Sequence, residues 1–131
     1  MSSHQFAVEV EPRYLPEQSR PEAGVFGFAY TVTVHNTGRT TAQLISRHWI
    51  ISDAQGHVEE VKGLGVVGQQ PLLGPGESFQ YTSGCRLHTA SGSMHGSYFF
   101  VADNGDRFEV SIPLFVLDAD NTHAGQAKLL H

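Results

Sequence analysis

The segment Gly96–Leu117 constrains the fold of this chain most, because it consists of two apolar runs around Asn104-Gly105. Asn-Gly between alternating apolar runs is the strongest short-range signal for a β-hairpin, since a type I′ turn needs a positive φ at both central positions. Placing Asn104 and Gly105 at these positions predicts that Val101 lies opposite Phe108. Two strands that meet at a tight turn are therefore expected here.

This register divides the side chains of the two strands between two faces. The face predicted to be buried carries Phe99, Val101, Phe108, Val110 and Ile112. The opposite face carries Tyr98, Phe100, Arg107, Glu109 and Ser111. A hairpin alone is marginally stable in water, so the rest of the chain must supply a second layer that covers the apolar face.

The rest of the chain predicts such a layer. Short runs that favour strands recur between turn signals, and no helical period is long enough to build a core. The runs lie at 6–11, 26–36, 41–52, 57–62 and 77–87. An all-β, fibronectin type III-like (immunoglobulin-like) β-sandwich of about seven antiparallel strands is expected, with a small barrel as the alternative. Trp49 is the expected core anchor, and Pro113 predicts an edge position or a bulge in the last strand.

Length and composition fit one ordinary globular domain. The 131 residues favour a single domain, with a core at 6–117 and a tail at 118–131 that is weakly helical near 126–130. The net charge of −5 argues against broad nucleic-acid binding. Neither a signal peptide nor a membrane span is recognisable, and the single cysteine fits a reducing compartment, so a cytoplasmic location is expected.

A glycine-rich segment is the first candidate site. Gly63, Gly65 and Gly68 form a G-x-G-x-x-G pattern after a predicted strand, and in dinucleotide-binding proteins this spacing lets the backbone approach a pyrophosphate. The following residues contain Pro71 and Gly74-Pro75-Gly76, which cannot continue as a helix. A structural loop is one interpretation, and a backbone site for an anion or nucleotide is the other.

Residues that could carry catalysis or bind a metal do not form an assembled set. The eight histidines show no ligand spacing, although His48 and His57 could approach each other near Glu59 or Glu60. Cys85 lies on an apolar-alternating strand, where a buried and inert thiol is typical, and its neighbours Ser83 and His88 do not define a triad. No catalytic residue, metal site or cofactor is therefore predicted.

The exposed face of the hairpin is the second candidate site. Tyr98 and Phe100 are predicted to stand beside Arg107 on the side opposite the core. Exposed aromatic residues next to arginine are typical of protein-binding surfaces. The alternative is that the C-terminal tail or the loop at 13–23 covers them.

Six motifs stand out along the chain. They are Ser46-Arg-His-Trp-Ile-Ile-Ser-Asp53, Val61-Lys-Gly-Leu-Gly-Val-Val-Gly68-Gln-Gln-Pro71, Pro75-Gly-Glu77, Tyr81-Thr-Ser-Gly-Cys85, Gly92-Ser-Met-His-Gly96-Ser-Tyr98 and Phe108-Glu-Val-Ser-Ile-Pro-Leu-Phe115. Together these motifs resemble the ApaG family. They occur in order over nearly the whole chain, from about Phe6 to Leu117.

The resemblance implies a cytoplasmic bacterial protein with a fibronectin type III-like sandwich. It also implies an association with Co²⁺ and Mg²⁺ efflux or resistance, and related eukaryotic domains resemble protein-interaction modules. The family's glycine motif falls on Gly63, Gly65 and Gly68. We therefore expect a non-enzymatic protein-interaction or regulatory domain without a cofactor. The alternative is a protein that binds a small anion or nucleotide, such as pyrophosphate, ATP or diadenosine tetraphosphate, through the glycine-rich loop.

Overall fold

The computed structural model describes residues 4–120, which form two antiparallel β-sheets packed face to face. Two short 3₁₀ turns, Pro16–Gln18 and Pro21–Ala23, lie between the first two strands. The strands are β1 (Phe6–Tyr14), β2 (Phe26–Asn36), β3 (Ala42–Asp53), β4 (Val58–Leu64), β5 (Leu72–Leu73), β6 (Ser78–Leu87), β7 (Ser91–Ala102) and β8 (Arg107–Asp118). The predicted β-sandwich is confirmed, and the tail at 121–131 lies outside the described residues.

The smaller sheet has the strand order β1-β2-β6, and the larger sheet has the order β4-β3-β7-β8. The short strand β5 pairs with the beginning of β3, so β4 and β5 together form one interrupted edge. Strand β1 lies beside β8, which closes one side of the sandwich. The loop that connects β4 to β5 lies outside this edge and contains most of the glycine-rich segment.

Trp49 lies in the core, as predicted, with 2% of its surface exposed. Its ring stands nearly perpendicular to those of Tyr98 and Phe115, and Tyr30 of the smaller sheet contacts it at a ring-centre distance of 5.2 Å. Edge-to-face contacts of this kind add to the hydrophobic stabilisation that burial of a large ring provides. Trp49 thus joins the two sheets at the centre of the sandwich.

Most of the predicted strands agree with the structure within one or two residues. Strand β7 begins at Ser91 rather than at Gly96, and the short strand β5 was not predicted. Strand β2 has the predicted bounds, whereas β1 continues through Pro12 to Tyr14 instead of ending at the proline. Because β1 is an edge strand, a proline that lacks an N–H does not interrupt the sheet. Pro113 lies in edge strand β8 at a bulge opposite the segment from Met94 to Gly96, as its sequence position suggested.

The turn between β7 and β8 corrects the predicted register. Val101 pairs with Arg107 rather than with Phe108, because the loop has three residues instead of two. Gly105 has a φ of 92°, and Asn104 does not have the positive φ that a type I′ turn requires. A type I turn followed by a left-handed glycine is the usual geometry of a three-residue hairpin loop. The Asp103 amide donates to the Thr41 carbonyl at 2.9 Å, a tertiary contact that holds this loop.

Candidate functional site

The glycine-rich segment forms a tight turn with no helix after it. The Val66 and Gln69 backbones exchange hydrogen bonds of 2.8 and 2.9 Å across Val67-Gly68. Both central residues have positive φ, 43° at Val67 and 80° at Gly68, so the type I′ geometry occurs here. A β-branched residue in this conformation is unusual and strained. The chain then continues into β5, so no helix dipole is available for a phosphate.

The amides of this turn are largely occupied within the protein. The Gly65 amide donates to the Ile45 carbonyl at 2.8 Å, and the amides of Val66 and Gln69 bond each other's carbonyls. A Cβ atom on Gly65 would lie 2.4 Å from the Gln69 carbonyl oxygen, which explains the glycine on steric grounds. Packing against Gln69 therefore accounts for the glycine at position 65. The amides of Gly65, Val66 and Gln69 already donate to carbonyls of the protein, so they do not form an anion-binding nest.

Arg47 is a functional candidate that the sequence analysis did not identify. Its guanidinium fills the space beside Gly63, where a Cβ atom would lie 2.9 Å from both Nη atoms. Nη1 donates to the carbonyls of Leu64 at 3.0 Å and Gly65 at 2.9 Å. Within residues 4–120 it makes no ion pair. A glycine inside a strand often marks a close approach by another group, and Gly63 was the available signal.

Tyr98 and Phe100 are fully buried, so their prediction as an exposed partner surface with Arg107 is wrong. The Tyr98 hydroxyl bonds the Tyr81 hydroxyl inside the sandwich. Phe100 stacks on Phe108 with the rings 5.5 Å apart. A register shift of one residue turns every side chain of a strand to the other face. Arg107 remains exposed on β8.

Cys85 has the environment of a structural thiol. It faces the interior from β6, and its Sγ lies 3.7 Å from the Met94 Sδ. Burial raises the pKa of this thiol to about 11, with a smaller contribution from the charge of Glu59. Its neighbour Ser83 bonds the Tyr30 hydroxyl. A thiol with a raised pKa is mostly protonated at neutral pH, so the residues around Cys85 do not activate it as a nucleophile.

The histidines near β3 and β4 take part in surface contacts. His48 Nε2 lies 3.2 Å from the Glu60 carboxylate. The Asp53 carboxylate accepts hydrogen bonds from the amides of Gln55 and His57, and the bond from His57 is the main reason that its pKa lies below the usual range. Among the described residues, no group of three or more histidine, cysteine or acidic side chains could hold a metal ion.

The outer face of the larger sheet is the main surface feature of the described chain. It is the face that points away from the smaller sheet, and its cross-strand rows follow from the pairing of Ser46 with Leu64 and Phe99, and of Phe99 with Glu109. On the two central strands the outer positions hold no aspartate, glutamate, lysine or arginine, and in this sense the region is called the uncharged centre. The outer positions are Gln43, Ser46, His48, Ile50 and Ser52 of β3, and Ser93, His95, Ser97, Phe99 and Val101 of β7.

Charged and exposed aliphatic residues surround this uncharged centre. Lys62 and Glu60 lie on edge strand β4, and Arg107 and Glu109 lie on edge strand β8. Three aliphatic side chains at outer positions of the same edges are exposed by 57–75%, namely Val58, Leu64 and Val116. Monomer surfaces normally carry single exposed aliphatic residues, whereas a group on one flat face is typical of an interaction site.

Comparison with known proteins agrees with the fold and the motifs. A family model described as the ApaG domain matches residues 16–102. The protein ApaG of Acidovorax sp. strain JS42 is 70% identical over 137 aligned residues, which cover 100% of both chains. The protein ApaG of Ralstonia nicotianae is 57% identical, over 89% of this chain and 94% of that one.

A solved structure gives the same result. The crystal structure of the putative ApaA protein from Bordetella pertussis superposes with a TM-score of 0.86 and 57% identity, and covers 88% of this chain and 94% of that chain. The fold and its motifs thus define a small two-sheet β-sandwich built on an ApaG domain. The chain belongs to the ApaG family. Residues 4–120 contain no helix with the length and apolarity that a bilayer crossing requires.

Proposed function

We propose that this chain is a non-enzymatic protein-interaction domain that binds its partner on the outer face of the larger sheet. The observation that carries the proposal is the absence of aspartate, glutamate, lysine and arginine at the outer positions of β3 and β7, between edge strands that carry both signs of charge. Protein interfaces have this arrangement, with charged residues depleted at the centre and polar residues at the rim. The association of the family with Co²⁺ and Mg²⁺ resistance would then act through the bound protein.

A charge placed at the centre of the outer face should abolish partner binding. Ser97 lies opposite His48 and Ser111 in the middle of this face and is partly buried there. Ser97→Arg adds a long cation without removing an apolar contact, so a partner would have to bury an unpaired charge. In affinity capture from a cell lysate, we expect the bound proteins to fall by about tenfold or more, since burial of such a charge exceeds 1.4 kcal/mol.

The matched control is Thr82→Arg. Thr82 is exposed on the outer face of the smaller sheet, where its hydroxyl lies 2.8 Å from that of Thr31. This variant adds the same charge to the opposite side of the molecule and should retain the wild-type partners. Equal capture by the wild type and Ser97→Arg, or equal loss in both variants, would contradict the proposal.

Binding of a small anion is a second candidate function, favoured by the position of Arg47. Its guanidinium lies beside the glycine-rich segment, makes no ion pair within the described chain, and uses Nη1 alone in its two hydrogen bonds to carbonyls. Arginine presents five donors in a fixed plane and binds phosphate in a bidentate manner. Such a ligand would contact the side chain of Arg47 rather than a nest of backbone amides.

A nuclear magnetic resonance titration distinguishes this candidate. Pyrophosphate, ATP and diadenosine tetraphosphate should each shift the amide signals of Gly63, Gly65 and Gly68 and the Nε–H signal of Arg47. Arg47→Gln should remove the shifts, because the amide side chain carries no charge. Spectra that do not change with any of the three ligands would exclude this function and leave the protein-interaction proposal intact.

A further inference from the structure

Strand β4 is an open edge of the larger sheet. Among residues 4–120 it pairs with β3 and with no other strand. The edge strands β1 and β8 carry Pro12 and Pro113, and β8 also has a bulge, and such features hinder further strand pairing. Val58–Leu64 contains no proline, and its ladder with β3 shows no register shift. The free side of β4 is therefore able to extend the sheet.

The ladder with β3 determines which backbone groups of β4 point outward. The Asp53 amide donates to the His57 carbonyl at 2.9 Å at one end, and the Gly65 amide donates to the Ile45 carbonyl at 2.8 Å at the other. Hydrogen-bonded pairs alternate along an antiparallel ladder, so the odd-numbered residues of β4 bond β3. The outward N–H and C=O groups are those of Val58, Glu60, Lys62 and Leu64.

The same four residues make β4 complementary to itself. When two copies run antiparallel about a two-fold axis at Val61, Glu60 lies opposite Lys62 of the second copy, and Val58 lies opposite Leu64. All four side chains are exposed. Pairs of opposite charge and aliphatic pairs both stabilise antiparallel strands. In this register the outward N–H and C=O groups of the same four residues also face each other, so they can form the hydrogen bonds between the two copies.

The inner face of β4 gives a second match. In this register Glu59 lies opposite Gly63 of the second copy, the residue beside which the guanidinium of Arg47 is held. Glu59 is exposed, and Arg47 has no carboxylate partner within the described chain. Pairing would thus bring a carboxylate to a half-buried guanidinium at both ends of the interface. Strand β6, the remaining edge, has Arg86 as its one charged residue and offers no such pattern.

We propose that two copies of this chain associate through β4, in antiparallel register about Val61, to form one continuous sheet. The pairs across the interface are Glu60 with Lys62, Glu59 with Arg47, and Val58 with Leu64. The contact is isologous, as in most two-fold dimers. Its area is that of one strand edge, so the association depends on protein concentration. The inference is independent of the partner-binding surface proposed above, because it concerns the edge of the sheet rather than its uncharged centre.

Charge reversal tests the register directly. Sedimentation of the wild type should give a mass that rises with concentration toward twice the 14.3 kDa of the chain. Lys62→Glu places two glutamates opposite each other at both ends, and Glu60→Lys places two lysines there, so each variant alone should remain monomeric. An equimolar mixture of the two should associate again, because every lysine then faces a glutamate. The double variant Glu60→Lys/Lys62→Glu should associate as the wild type does.

A cysteine substitution tests the position of the axis. Cα atoms of a non-hydrogen-bonded antiparallel pair are about 4.5 Å apart, which a disulfide can span. In a Cys85→Ala background, Val61→Cys should therefore form a disulfide-linked dimer under mild oxidation. Val58→Cys in the same background is the control, because the two cysteines would lie about 20 Å apart. We expect cross-linking to be at least tenfold faster at position 61.

Three results would overturn the proposal. The first is a wild-type mass that stays at that of one chain up to about 1 mM, where even a contact worth about 4 kcal/mol would be half formed. The second is association of the two charge variants that equals the wild type or does not recover on mixing. The third is cross-linking at position 61 that is no faster than at position 58. Thermal unfolding of each variant shows whether it is folded.

Discussion

Replacing Gly96 with alanine should destabilise this protein by about 3 kcal/mol or more, since the added methyl overlaps a main-chain atom that cannot rotate away. A Cβ atom at this position would lie 1.9 Å from the His48 carbonyl oxygen. Gly96 pairs with Trp49, so the displacement would separate β3 from β7 at the centre of the larger sheet. Urea unfolding measures the effect as a lower midpoint at an unchanged slope.

Ser97→Ala is the control for this prediction. Ser97 is the next residue of β7 and faces outward, so the change leaves the close approach of the strands untouched. Its free energy of unfolding should stay within about 0.5 kcal/mol of that of the wild type, as is usual for surface changes. A Gly96→Ala protein as stable as the wild type would mean that β3 and β7 do not approach as closely as described.

Raising the pH above about 10 should destabilise the protein steeply, because three of its four tyrosines are buried with raised pKa values. Burial is the main cause for each, and it raises the pKa of Tyr81 from 10.0 to about 12. Below pH 10 the hydroxyls are protonated in both states, and their contribution is fully present. As the pH rises, the unfolded chain loses these protons first. The free energy of unfolding therefore falls from about pH 10, the ordinary tyrosine pKa, until the pH exceeds the pKa of each tyrosine in the folded protein.

The size of this effect follows from the shift. Two pKa units at Tyr81 correspond to about 3 kcal/mol lost between pH 10 and 12. The free energy of unfolding should fall by up to about 1.4 kcal/mol per pH unit for each tyrosine. Urea unfolding between pH 8 and 11 measures this slope. The tyrosinate absorbance of Tyr30, Tyr81 and Tyr98 should appear with unfolding rather than before it.

The double variant Tyr81→Phe/Tyr98→Phe isolates the hydroxyl pair. Removing both partners of a buried hydrogen bond leaves no unpaired polar atom, so stability at pH 8 should change little. Above pH 10 its free energy of unfolding should fall less steeply with pH, because unfolding releases up to two fewer protons than in the wild type. A double variant with an unchanged slope would show that the two hydroxyls titrate normally in the folded protein.

The two proposed interfaces are compatible in one assembly. Pairing of two β4 strands would join two larger sheets side by side, and their outer faces would form one extended surface. The uncharged centres on β3 and β7 would remain accessible on both copies. A partner with two-fold symmetry or two binding segments could then engage both centres at once, which raises its apparent affinity without any new contact.

Local patterns in the sequence predicted most of the strands. The alternation of Phe26–Asn36 predicted the bounds of β2, and the runs at 41–52 and 57–62 lie within one or two residues of β3 and β4. The burial of Trp49 was predicted as well. These features depend on residues close together in the chain, so their signals are local. The recurring strand runs predicted the fold class, which the family resemblance also implied and the two sheets confirm.

The candidate sites were less accessible to prediction because they depend on register and on distant contacts. The apolar residues of β7 lie on both faces of the strand, so alternation alone did not show whether Tyr98 or Phe99 is buried. The contact of Tyr98 with Tyr81, and the loop contact between Asp103 and Thr41, favour the observed register. Arg47 was missed because its role appears when Gly63 is brought beside it in the neighbouring strand.

An all-β chain of the ApaG family, with most of its strands and its buried tryptophan, could be predicted from the order of residues, because alternation and turn chemistry act over a few residues. The packing of the two sheets was needed to show which face of β7 is buried, why the glycine-rich segment is a tight turn, and which surface lacks aspartate, glutamate, lysine and arginine. Strand β7 has apolar residues on both faces, so its buried face is determined by the register with β8 and by the sheet that packs against it.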